Sequence, residues 1–310
     1  MLSELRKGGN VVLYNPLIRL CLVFVSVGLA AVAQEFKAGT AKRDITPQKP
    51  TPMWGYGARH DALSQGVRDP LFAKCIIFET GAEKLAIVTM DIGRAPTAAM
   101  MTEIREAVKS SAGVNHVLIS GSHTHHGPVI ELLDEPGKGQ GKFQDAVEYT
   151  KQLQSNIIDV IVEASKKTVP AKIGWAATNV DMNRNRHAKV DPKPIDSELS
   201  VVRVDAVSDE PIAVLVNFQA HPTRLKADDL RFSAEWPGEM MKSVESRLPV
   251  QCMFVQGAAG DLTLQTTEET KEIDAYGAAL ADVVLKLNAQ IAAAVPAAPS
   301  IKVKDTTFSF

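Results

Sequence analysis

Three of the chain's seven histidines stand within four residues, in Ser122-His-Thr-His-His-Gly-Pro128, behind a short apolar run of strand type, Asn115-His-Val-Leu-Ile-Ser120. An extended chain repeats its side chains every two residues, so His123 and His125 are expected on one side and His126 on the other. Two imidazoles on one side make a two-toothed metal clamp. Imidazole suits zinc, and a hydrolytic zinc site takes about three protein ligands and keeps a position open for water. The motif alone is equally well read as loop histidines bonded to their surroundings, so a further donor is needed. His221 is the candidate: it follows the apolar run Val214 to Gln219 closely, and Pro222 stiffens the exit.

Other polar residues stand at comparable places. Gly257-Ala-Ala-Gly-Asp-Leu-Thr263 is a small-residue turn after an apolar run; Asp261 could orient a ligating imidazole or bind metal, and Thr263 offers a hydroxyl, while the plainer reading is a tight turn capped by Asp261. Arg184 and Arg186 lie in a polar loop after a strand, and one of them could hold a substrate carbonyl or an oxyanion. The loop over residues 48–69 carries Trp54, Gly55, Tyr56 and Gly57, and loops of that length in a compact domain are often functional.

The elements that must position these residues read as α/β. Strand patterns cover Phe36 to Asp44, a hairpin of Leu71 to Glu79 with Leu85 to Asp91, the histidine strand, Lys172 to Val180, a second hairpin of Glu198 to Ala206 with Ile212 to Gln219, Val250 to Gln256, and Ile301 to Phe310. Helix patterns cover Thr97 to Ser111, Phe143 to Lys167, Pro237 to Leu248 and Glu268 to Ala294. The expectation is a mixed β-sheet core flanked by helices. Its metal site should lie at the carboxyl ends of strands, where Asp91, His123 and His125, His221, and Asp261 follow four apolar runs and would share one crevice if those strands run parallel.

At 310 residues and 45% hydrophobic composition the chain can build a large core, and a net charge of −2 gives no electrostatic case for nucleic acid. Residues 1–33 read as a signal peptide: Arg6, Lys7 and Arg19 supply positive charge, Leu20 to Ala30 is apolar, and Ala31-Val-Ala33 has the form of a cleavage site before Gln34. The apolar run is shorter than the ~20 residues that a spanning helix needs, so export to the periplasm or medium is the expectation. Of the remaining cysteines, Cys75 and Cys252 each sit in an apolar run, as core residues or as a pair that an exported chain would permit.

Six segments in order and spacing, Ala38-Gly-Thr-Ala-Lys-Arg-Asp-Ile-Thr-Pro47, Ser122-His-Thr-His-His-Gly-Pro128, Met182-Asn-Arg184, Ala220-His-Pro222, Ser233-Ala-Glu-Trp-Pro-Gly238 and Gly260-Asp-Leu-Thr263, resemble the catalytic domain of the neutral/alkaline non-lysosomal ceramidases. The resemblance runs from residue 38 to about residue 310. It implies a zinc amidase that cleaves the N-acyl bond of ceramide or a related lipid amide, with His123 and His221 as zinc ligands. It further implies His125 facing the substrate or a metal-bound water, Arg184 contacting the substrate, and Thr263 where the family carries a serine. Proton handling would fall to His125 and Asp261. His126, Glu235 and Leu264-Gln265 depart from the family's usual serine, aspartate and Pro-Asn pair. The family's remaining zinc ligands, a glutamate and a tyrosine, would lie beyond residue 310, so residues 34–310 are expected to be a C-terminally incomplete catalytic domain. A lipid amide also implies contact with a membrane surface. The competing expectations are an exported esterase or peptidase on the same site, and a lipid- or metal-binding relative without turnover.

Overall fold

The computed structural model describes residues 35–304 and 306; the expected signal segment lies outside them. The chain opens with β1 (Phe36–Asp44), and the long loop after it contains a 3-10 turn (Gly57–Arg59) and a short β2 (Gly66–Val67). There follow β3 (Phe72–Thr80), β4 (Glu83–Met90), α1 (Ala98–Ala112), β5 (His116–Gly121) and α2 (Gln144–Ser165). The second part of the chain forms β6 (Val169–Asn179), β7 (Asn183–Asn185), β8 (Glu198–Ala206), β9 (Pro211–Phe218) and β10 (Arg231–Phe232). It ends with α3 (Glu235–Glu245), β11 (Gln251–Gln256), β12 (Leu262–Leu264) and α4 (Ile273–Gln290). The expected last strand does not form over residues 301–304 and 306, and the rest of it lies outside the described residues. There Ile301 packs against the core while Val303 stays exposed, so the alternation finds no neighbouring ladder.

The main sheet is mixed, with strand order β11-β9-β8-β6-β1-β3-β4-β5. Its centre is a seam: β1 and β6 pair only through Lys37 with Pro170 and Ala38 with Val169, at the start of both strands. In one half β1, β3 and β4 alternate antiparallel and β5 joins β4 in parallel; in the other β6, β8 and β9 alternate and β11 joins β9 in parallel. Consequently β4, β5, β9 and β11 all begin at the seam end and run away from it. The halves stack face to face, because Ile76 and Phe78 from one meet Leu215 and Met253 from the other in a single buried cluster. Period-two alternation sends the next residues outward. Cys75 and Ile77 pack with Ile104 of α1 and Ile157 of α2, while Val216 and Phe254 pack with Met240 of α3 and Leu280 of α4.

This helix-sheet-sheet-helix order answers two questions that the sequence leaves open. The strand ends that carry polar residues converge although they belong to two halves. The cysteines do not pair: Cys75 and Cys252 are free and buried in the two outer clusters, on opposite sides of the sandwich. Each helix is held by its apolar stripe. In α1, Met100, Ile104 and Val108 recur every four residues and are buried, and Thr97 caps the helix by accepting from the Met100 N–H.

Candidate metal centre

His123, His125 and His221 come together where β5 and β9 end, with one ligand nitrogen from each lying within 4.8 Å of the others. Their ring centroids are 4.6 to 5.4 Å apart. Extended alternation is not what unites the first two. The strand stops at Gly121, and His123 takes a left-handed backbone with φ 68°, a region that only a few per cent of non-glycine residues adopt. That turn is locked by the continuation of the parallel ladder, in which Ser122 donates to the Met90 carbonyl and His123 to that of Ile92. His126 does point away from the pair. It is fully buried, with Nε2 2.7 Å from Nη2 of Arg59.

Two of the three imidazoles are tied from behind. His123 Nδ1 lies 3.0 Å from the Gly93 carbonyl and His221 Nδ1 lies 2.8 Å from that of Ala259. An Nδ1–H donated to a carbonyl leaves the Nε2 lone pair free and fixes the ring plane, which is the usual support of a metal-bound histidine. His125 has no such tie: both of its ring nitrogens are buried without a hydrogen-bond partner. Buried polar atoms left unpaired cost free energy, so this cluster is stabilised by whatever satisfies it. Burial holds all three imidazoles below their ordinary range, His125 down to about 3, with the neighbouring imidazoles adding to the effect there and Arg186 adding to it at His123 and His221. Neutral imidazoles are the metal-binding form. The donor set, the orphaned nitrogens and the neutral charge state fit a metal ion.

An aromatic cap closes one side. Trp54 sets its edge against His123 and His125 at 4.9 and 5.2 Å, and Tyr56 lies 4.8 Å from His125. Close approach explains two glycines: a Cβ on Gly55, itself at φ 101°, would sit 2.4 Å from the His125 ring, and one on Gly93 would sit 2.2 Å from Trp54. Arg59 binds the cap to the histidine loop. Only 6% exposed, its guanidinium donates to the carbonyls of Trp54, His125, Ala227 and Asp229 and stacks over the Tyr56 ring at 4.8 Å.

The other expected residues are placed by a small ladder. Strands β7 and β12 pair Arg184 with Thr263, and Thr263 in turn bridges to His221. Directly paired residues share a face, so His221, Thr263 and Arg184 form a row on the histidine side. Arg184 is exposed at its far end, about two strand spacings or ~10 Å from the His221 backbone. Arg186, two residues on, is the arginine that reaches the cluster, with Nη2 3.0 Å from His221 Nδ1 and 3.0 Å from the Gly260 carbonyl. Asp261 is not brought to the imidazoles. Its side chain is exposed and accepts from Asn185 Nδ2 at 2.6 Å, so His221 is oriented by the Ala259 carbonyl instead. Asp91 is likewise turned away, accepting from the Phe72 N–H, and burial raises its carboxyl to about 7.

Arg59 carried no sequence signal, since isolated loop arginines are usually solvated. The resemblance points to Arg184, whereas the arginine in contact with His221 is Arg186.

Comparison with known proteins bears on the fold and the family. Among solved structures the chain is similar to the neutral ceramidase from Pseudomonas aeruginosa, with a TM-score of 0.70 and 19% identity over 83% of this chain and 46% of that one. It is also similar to a ceramidase complexed with C2, with a TM-score of 0.68 and 19% identity over 83% of this chain and 45% of that one. The chain thus spans less than half the length of those proteins. The profile of the N-terminal part of the neutral/alkaline non-lysosomal ceramidases matches residues 36–250, well over half of the sequence, and the chain belongs to that family.

Proposed function

We propose that this chain is an exported zinc-dependent amidohydrolase acting on the N-acyl bond of ceramide or a related lipid amide. The observation that carries the reading is the set of three converging imidazoles, two of them anchored through Nδ1 and one left free. His123 and His221 would hold the ion through Nε2. When bound, zinc supplies Lewis acidity toward a carbonyl and toward water. His125, beside them, would face the substrate or the water at the site and would be the residue through which the proton passes to the departing amine. Arg186, beside His221, and Arg184, past Thr263 at the far end of the row, would supply positive charge for the oxygen that becomes anionic, and Thr263 would supply a hydroxyl. Asp261 would act at one remove, by holding the end of the β7–β12 ladder through Asn185. A membrane surface would deliver the substrate, and export would depend on residues 1–33.

The test is elemental analysis of the purified protein beside a His123→Ala/His221→Ala double variant, followed by hydrolysis assays on N-acyl sphingoid lipids, simple esters and peptides. About one zinc per chain in the parent only, with turnover confined to the lipid amides, is the expected result. Zinc-free parent protein would sink the metalloenzyme reading, and turnover of esters or peptides alone would replace the substrate class.

A further inference from the structure

The segment Ser233 to Trp236 touches neither the imidazoles nor the face they present, yet it is among the most completely buried polar stretches of the chain. Ser233 and Glu235 are both 0% exposed. Glu235 also holds a left-handed backbone at φ 59°, a conformation that a non-glycine residue keeps only where its surroundings over-determine it. The surroundings here are the two histidine loops.

From Ser233 the bonds run to the first loop. Its N–H donates to the His126 carbonyl at 3.0 Å, and its own carbonyl accepts from Thr124 Oγ1 at 2.8 Å. Thr124 and His126 are the two neighbours of His125, and the same Thr124 hydroxyl accepts from the His126 N–H at 3.1 Å. The residue between them is therefore held from both sides. From Glu235 the bonds run to the second loop. Oε1 accepts from the N–H groups of Arg224 and Leu225, the latter at 2.8 Å, three and four residues past His221, while Oε2 accepts from the Trp236 N–H at 2.8 Å. The Ser233 hydroxyl joins the two ends, accepting from the Glu235 N–H at 3.0 Å and donating to Asp69 Oδ2 at 2.6 Å. Asp69 Oδ1 takes the intervening Ala234 N–H at 2.7 Å.

We propose that Ser233 and Glu235, anchored by Asp69, form a clasp that sets the distance between the His125 loop and the His221 loop, and that they are thereby positioning residues for the metal centre. The metal part of the proposal rests on the reading above. Its structural part does not, because the clasp acts on loop geometry whether or not an ion is bound. A carboxylate suits this role because it takes three backbone donors at once, which a neutral amide with one oxygen and one NH2 group does not.

The experiment follows Glu235→Gln, Glu235→Asp and Ser233→Ala in the purified protein by two independent readouts. The first is hydrogen exchange of the metal-free protein, resolved over peptides spanning residues 122–126 and 221–226. The second is zinc affinity by competition with a chelator. A clasp predicts that Glu235→Gln raises exchange in both loops together while β3 and α2 keep their protection. Zinc affinity then falls about 10- to 100-fold, as when other supports of metal ligands are removed. Glu235→Asp, which keeps the carboxylate, recovers most of both effects. Ser233→Ala reproduces the coupled exchange, so the idea stays testable if Glu235→Gln fails to fold. Exchange rising in one loop alone, or evenly through the whole molecule, overturns the clasp. Parent protein without zinc affinity overturns the metal reading instead, and leaves the exchange data to judge the clasp.

Discussion

The two halves of the sandwich share a plan of four strands under two helices, but they hold their histidines by different means. In the first half the imidazoles ride on a loop beyond β5 that backbone bonds to Met90, Ile92 and Ser233 hold in place, and side chains brought from the cap, Arg59, Trp54 and Tyr56, fix it further. In the second half His221 stands one bridge from β12 and is itself anchored by backbone, through the Ala259 carbonyl and the β7 to β12 ladder, while the Glu235 carboxylate holds the segment that follows it. Side-chain supports can be removed singly, whereas backbone supports survive most substitutions. The first half of the site should therefore be the more fragile.

The largest effect should come from testing whether the halves stand or fall together. Trp236 is fully buried among Phe218, Phe254 and Tyr276, so Trp236→Ala should destabilise by ~3–5 kcal/mol. Ile157→Ala, at equal burial in the other outer cluster, should cost ~2–5 kcal/mol. Denaturation followed by near-ultraviolet and far-ultraviolet signals checks this; coincident transitions in both variants would show one cooperative unit across the seam.

The contrast in support is sharpened by Arg59→Met. It leaves buried carbonyls without a donor, at ~1–3 kcal/mol for each that water does not reach, and should weaken zinc binding about 10-fold or more. Unchanged zinc affinity in that variant would break the comparison. A smaller effect is expected at Asp91, whose carboxyl is raised to about 7 by burial. Because its folded value exceeds the unfolded one, the folded state binds the proton more tightly, and stability falls as pH climbs from about 4 to about 7. Asp91→Asn should flatten that decline and raise stability at pH 8 by an amount on the order of 1 kcal/mol, read as a higher melting temperature. Least of all, Thr263→Val in the backbone-held half should shift stability by no more than ~0.5 kcal/mol and leave zinc binding alone, lowering turnover only through its lost hydroxyl.

Legibility followed the same division. Helices α1, α2 and α4 and both hairpins announce themselves through apolar periodicity, and His123, His125 and His221 through residue type and place after strands. The short strands β2, β7, β10 and β12 span two or three residues, too few to show a period. Which arginine touches the imidazoles depends on a contact between Arg186 and His221, 35 residues apart, that no local pattern encodes. Arg59 gives no local signal because most of its partners are distant in the chain: it reaches His125 across 66 residues and Asp229 across 170. Asp261 stands apart from His221 for a related reason, since the group that holds the imidazole is the Ala259 carbonyl, and every residue carries a carbonyl.

The separation of the two free thiols gives the molecule a pair of internal clocks. Burial pushes both Cys75 and Cys252 up, the latter to about 12, so neither reacts with an alkylating agent until its own helix-covered face opens. Their modification times, read residue by residue by mass spectrometry, therefore report the opening of each half independently, with no residue changed.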